Sequence, residues 1–100
     1  MNMQALMKQA QNMQKEINGI KNELDNTEFE GKSSLVTVVV MGDKSIKSVK
    51  ISDDAKELVN EDLSMLEDMI LVALNDAFTK IDKTTEEKMG KYSNMMQGLM

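Results

Sequence analysis

Twelve lysines, with no arginine and no histidine beside them, are the side chains of this 100-residue chain with the clearest chemical use. As point charges on flexible stems they can neutralise an anionic surface, but they cannot form the two-pronged hydrogen bonds by which arginine reads a base edge. Catalysis is poorly served. The absence of Cys excludes disulfides and thiolate metal sites, and the absence of His removes the commonest general base and metal ligand. The densest group of hard ligands is Asp53, Asp54, Glu57, Glu61 and Asp62. It lacks the D-x-[DN]-x-[DN]-G spacing of a calcium loop, so a solvated acidic face is the simpler reading. No G-x-x-x-x-G-K-[ST], G-x-G-x-x-G or G-x-S-x-G string occurs, and the five glycines are scattered. The inventory argues against an enzyme and implies no metal, cofactor or small-molecule substrate.

Net charge is -5, which by itself disfavours a polyanionic partner, but the charge is unevenly spread. Residues 1–22 carry Lys8, Lys15 and Lys21 against Glu16, a balance of +2, and residues 53–76 carry eight acids against Lys56, a balance of -7. Residues 77–100 return to +1, through Lys80, Lys83, Lys88 and Lys91 against Asp82, Glu86 and Glu87. Only the two ends of the chain could offer phosphate contacts. Lysine on a helix is equally at home as plain solvated surface.

Local structure must position these groups. Met3, Leu6, Ala10, Met13, Ile17, Ile20 and Leu24 recur at alternating spacings of three and four, a heptad seam that predicts one long helix. Asn18-Gly19 is a weak point costing about 0.5–1 kcal/mol, not a hairpin, because no alternation of period two flanks it. Residues 27–31, 35–41 and 45–51 then read as three strands, the middle one a β-branched run punctuated by Gly42-Asp43. Both faces of Leu35-Val36-Thr37-Val38-Val39-Val40-Met41 are apolar, so one helix layer covers one side and a second copy of the chain is expected on the other. That expectation makes Leu35, Val36, Val38, Val39 and Val40 candidate dimer-interface residues.

Ser52-Asp53-Asp54-Ala55 resembles a capped turn, and Asn60, followed by Glu61 and Asp62, a fresh N-cap. A second long helix follows, its wide apolar face marked by Leu63, Leu66, Met69, Ile70, Ala73, Leu74, Ala77, Phe78 and Ile81. Beyond Ile81 the sequence is nearly all polar and is expected to project past the core, with Gly90 as a stop. The expected organisation is one α+β domain over residues 1–90 and a flexible tail over 91–100, where Met95, Met96 and Met100 fit no period. Met3, Met13, Met65 and Met69 are ordinary stripe residues among the eleven methionines. No apolar run approaches the roughly 20 residues of a membrane span, so a cytoplasmic protein is expected.

Three stretches together resemble the YbaB/EbfC family of nucleoid-associated proteins: residues 6–14, Leu-Met-Lys-Gln-Ala-Gln-Asn-Met-Gln; Leu35-Val36 through Gly42 to Val49-Lys50-Ile51; and Met65-Leu66-Glu67-Asp68-Met69-Ile70 with Asn75-Asp76-Ala77 and Glu87-Lys88-Met89. The likeness runs along nearly the whole chain apart from the last ten residues. It implies an α-β-β-β-α protomer with a small antiparallel sheet, a homodimer whose long helices project like tweezers, and duplex DNA held at those projections with little sequence specificity. Nucleoid organisation and gene expression are the processes it implies. By position, it makes Lys8, Gln9, Gln11, Lys80 and Lys88 candidate DNA contacts, to which charge and location add Lys15, Lys21, Lys83 and Lys91. Two features depart from the family pattern: Gly31-Lys32-Ser33-Ser34 stands where many relatives have a glycine-rich turn, and the chain has no proline for the proline-glycine element common near the C-terminus. The rival reading is a protein-interaction module that uses the helical seam and acidic middle without nucleic acid.

Overall fold

The structure, a computed structural model, describes residues 2–58 and 62–92. Helix α1 spans Met3–Asp25; strands β1, β2 and β3 span Glu28–Ser33, Val36–Met41 and Ile46–Ile51; a short α2 spans Ala55–Leu58; α3 spans Ser64–Met89, and a 3-10 turn, Gly90–Tyr92, extends it. This is the expected α+β order. The expected N-cap at Asn60 and most of the tail, residues 93–100, lie outside the described residues.

α1 starts where the Asn2 side chain accepts a hydrogen bond from the Gln4 N–H at 3.0 Å. It runs unbroken through Gly19, where nothing lies within 4 Å of the site a Cβ would occupy. Its end is closed by Asn26 and Thr27, whose side chains donate to the Asn22 and Glu23 carbonyls at 2.8 and 2.6 Å.

The sheet is antiparallel in the order β1-β2-β3. β1 extends two residues beyond its expected end because ladder pairing continues to a turn of only two residues, Ser34 and Leu35, with Ser34 at φ 46°. Between Val39 and Val40 the register with β3 shifts, so that Ser48 faces Val39 and Ile46 faces Val40. This bulge restores side-chain parity: Ile46, Val49 and Ile51 all lie on the same face as Val40, Val38 and Val36.

That face carries the core. Val36, Val38 and Val40 are fully buried against Ala73, Ala77 and Ile81 of α3, with Phe29, Leu66, Met69, Ile70, Leu74 and Phe78 around them. Small residues bring helix and sheet together. A Cβ on Gly31 would overlap the Ala73 carbonyl oxygen and crowd the Ala77 backbone nitrogen, neither of which a side-chain rotation could relieve. Gly42 serves the same purpose where the β2–β3 turn meets the end of α1, since its Cβ would overlap the Leu24 carbonyl.

These placements correct the expected interface. Val36, Val38 and Val40 are enclosed within a single chain, so a second copy cannot reach them; Leu35 and Val39 remain half-buried on the opposite side. Gly90 is the C-cap at which α3 ends, as expected, but its angles, φ -55° and ψ -40°, are right-handed and not left-handed, and the chain continues from it into a 3-10 turn. The reason is apolar burial. Met89 and Tyr92 are 7% and 4% exposed where the end of α3 meets α1, giving the polar-looking segment an anchor that its composition conceals.

The two central valines should therefore respond oppositely to a charge. Val38→Lys should abolish the cooperative thermal transition followed by circular dichroism, because it places an ammonium in a dry core. Val39→Lys, directly across from Glu30, should retain that transition at a cost of about 1 kcal/mol or less. Equal loss in both variants would contradict the assignment of faces.

Candidate nucleic-acid interface

The molecule is drawn out to 72 × 21 × 16 Å, with a radius of gyration of 19.6 Å against about 13 Å for a compact chain of this length. The length comes from α1 and the end of α3, which lie side by side beyond the sheet. Lys88 forms a 2.9 Å ion pair with Glu23, and the Tyr92 hydroxyl donates to the Glu16 carboxylate. Four residues along α3 thus match seven back along α1, the signature of an antiparallel pair. The described part of α3 reaches no farther than Glu16. The outer half of α1, from Met3 to Lys15, continues past it for about 20 Å at 1.5 Å per residue.

Lys8, Gln9, Gln11 and Lys15 all sit exposed on that outer half. Ala5, Lys8, Gln9, Asn12 and Met13 line a groove of about 550 Å³ that Glu16 and Tyr92 close at its inner end. Lys21 is exposed nearer the sheet, and Lys83 is exposed on α3. Among the described residues, no ion pair engages Lys8, Lys15, Lys21 or Lys83. With the exposed Lys50 of β3, they are the lysines without an ion pair among the described residues, and so are available to an external anion.

The remaining candidates are held differently. Lys88 is tied to Glu23 between the helices. Lys80 does not lie on the projection: its ammonium donates to the Glu30 carbonyl at 2.8 Å and lies 3.3 Å from Asp76, over the outer edge of β1. Asp76 also accepts the Lys32 N–H at 3.0 Å. That backbone hydrogen bond, followed by the one from Lys80, holds the Asp76 carboxyl below the usual carboxylate range. Lys91 falls in the 3-10 turn. On the sheet, Lys44 pairs with Asp82 at 3.4 Å, Lys32 with Glu30 at 3.6 Å and Lys47 with Glu28, while Lys50 is exposed.

The acidic stretch is dispersed. Asp53 lies 3.8 Å from Lys56, and Asp62 accepts the Ser64 N–H at 2.9 Å, which lowers its pKa. Among the described residues no group of three His, Cys, Asp or Glu side chains is placed to hold a metal ion, and no helix is long and apolar enough to cross a membrane. Sequence pattern does not single out Tyr92, Glu16 or Asp76. The Ile81, Thr85, Met89, Tyr92 spacing of four, four and three is the available signal for the first.

Comparison with known proteins fits this geometry. The family model described as the YbaB/EbfC DNA-binding family matches residues 1–96. A nucleoid-associated protein of Lactococcus lactis subsp. cremoris is 46% identical over 95 residues, covering 93% of this chain and 94% of the relative. Another, from Ligilactobacillus salivarius, is 45% identical over 101 residues, covering 99% and 95%. The fold is shared with a crystal structure of an uncharacterized protein, HP0035, from Helicobacter pylori, at a TM-score of 0.71 and 21% identity over 96% of this chain and 98% of that one. By its match along almost the full length, the chain belongs to the YbaB/EbfC DNA-binding family, which sets it among DNA-binding proteins and not among enzymes.

Proposed function

We propose that this protein works as a homodimeric nucleoid-associated protein that holds duplex DNA by lysine–phosphate contacts, with little dependence on base sequence. The observation that carries the reading is the set of ion-pair-free lysines, Lys8 and Lys15 above all, on a helix that stands clear of the acidic middle of the chain. Gln9 and Gln11 beside them add neutral hydrogen-bonding groups for phosphate or sugar oxygens. Lys21 and Lys83 extend the basic surface toward the sheet, and Lys91 adds a positive charge in the chain segment that follows α3. Lys88 contributes if phosphate displaces Glu23, an exchange that costs little because the pair is solvent-exposed. Lys80 contributes least, being engaged at the β1 edge.

Without arginine, contacts to guanine edges lose their usual donor, so backbone charge dominates and many duplexes bind alike. Low specificity suits a protein that coats DNA in the bacterial nucleoid, within the cytoplasm, and alters expression broadly. The named relatives support the nucleoid assignment. Pairing of two copies is supported by surface: the chain exposes 7603 Å², about a third more than the roughly 5,700 Å² expected of a compact monomer of its size. Two copies would also present two basic projections to one duplex.

Fluorescence anisotropy with unrelated duplexes across a salt series tests the DNA reading. Affinity should fall steeply with salt, and Lys8→Ala or Lys15→Ala should each reduce the slope by about 1, or about 2 when both protomers engage the duplex. Both should weaken all duplexes alike and leave the melting transition in place. Lys80→Ala should leave the slope unchanged. Absence of salt-dependent binding would instead favour a protein partner for the exposed α1 seam. Sedimentation equilibrium should independently return twice the mass of the chain, and a folded monomer would remove the dimer from this proposal.

A further inference from the structure

α1 carries a second stripe besides its apolar seam. Gln4, Lys8, Gln11, Lys15, Asn18 and Asn22 recur at spacings of four, three, four, three and four. At 100° per residue this gathers them into an arc of about 80°, roughly 150° round the helix from the seam. All six are exposed. The stripe holds lysines and amides only, with no acid and no apolar residue, over about 27 Å at 1.5 Å per residue.

The acids in the body of α1 are turned away from it. Glu16 accepts from the Tyr92 hydroxyl and Glu23 pairs with Lys88, both toward the end of α3, and Asp25 is the last residue of the helix. The stripe's own groups are unspent. Among the described residues, the side chains of Gln4, Lys8, Gln11, Lys15 and Asn22 enter no hydrogen bond or ion pair. Gln14 Nε2 donates to Asn18 Oδ1 at 3.1 Å, which uses the oxygen of that amide and leaves its NH2 as a donor. Each of the six thus offers N–H groups, and phosphate oxygens are acceptors.

Such a stripe suits a partner that is anionic, accepts hydrogen bonds and repeats at regular intervals. A docked protein would need apolar or aromatic anchors at the centre of its contact, and the stripe has none. A duplex backbone needs none. Lys8 and Lys15 are about 10.5 Å apart along α1, the rise of about three phosphates on one strand, and the whole stripe is as long as about eight base pairs. We infer that duplex DNA lies lengthwise against this flank of α1, from Gln4 to Asn22, and that Asn18 and Asn22 contact its backbone as Lys8 and Lys15 do. The inference rests on the DNA reading above and adds the direction of the duplex, which runs along the helix toward the sheet instead of across its outer end. Contact confined to that end would leave no use for an acid-free flank at Asn18 and Asn22.

Charge changes at the inner end of the stripe test this in the full chain, by anisotropy over the same salt series. Asn22→Lys should tighten binding and raise the salt slope by about 1, or about 2 when both protomers engage the duplex. Asn18→Asp and Asn22→Asp should each weaken binding by about threefold or more at low salt. Thr79, exposed on α3 and opposite Ala77 and Ile81 round that helix, is the control site: Thr79→Lys and Thr79→Asp should leave affinity and slope where the unmodified protein has them. Opposite effects of Lys and Asp at one position cannot come from a merely structural role, and Asn22→Lys keeps the test intact should either Asp variant lose its melting transition. If Lys8→Ala weakens binding while the Asn22 variants behave like their Thr79 counterparts, the lengthwise arrangement is overturned and DNA binding at the outer end stands. An unmodified protein without salt-dependent binding would remove both.

Discussion

Everything distinctive in this fold depends on how closely α3 lies on the sheet. Gly31 offers no Cβ, and Ala73 and Ala77 offer only methyl groups, so the helix settles directly over β1 and β2. A larger residue at any of the three would lift the helix from Val36, Val38 and Val40, and dispersion is lost over the first ångström of a gap. The contact also fixes direction. With α3 held against β1 by Asp76 and Lys80, its last turns must run off the end of the sheet alongside α1, where Met89, Tyr92 and Lys88 find partners.

One-sided cover has a further consequence. A helix narrow enough to sit on two strands cannot shield the third, and the β3 bulge turns Ile46 to the same uncovered face as Val49 and Ile51. The asymmetry of the sheet is thus a product of the packing that stabilises it. The charged residues sort by the same geometry. Among the described residues, lysines 32, 44, 47, 80 and 88, near the sheet and the helix crossing, form ion pairs, while Lys8 and Lys15 on the outer half of α1, like the exposed Lys21, Lys50 and Lys83, form none. A net charge of -5 is compatible with a polyanion because the acids lie elsewhere in space as well as in sequence.

Much of this was legible in the chain itself. The alternating spacing of Met3 to Leu24 determined α1, the β-branched run before Gly42-Asp43 determined the central strand, and the wide apolar face from Leu66 to Ile81 determined a helix that needed a sheet beneath it. The amino-acid inventory determined that the chemistry on offer is cationic and not catalytic. Tertiary structure alone decided which side of β2 the helix took, that Tyr92 closes against Glu16, and that Lys80 serves the β1 edge while Lys8 and Lys15 stay free. The physical reason is separation along the chain: Lys80 meets a carbonyl 50 residues away and Lys88 a carboxylate 65 residues away. Periodicity encodes which face a residue occupies on its own element, and says nothing of what that face will meet.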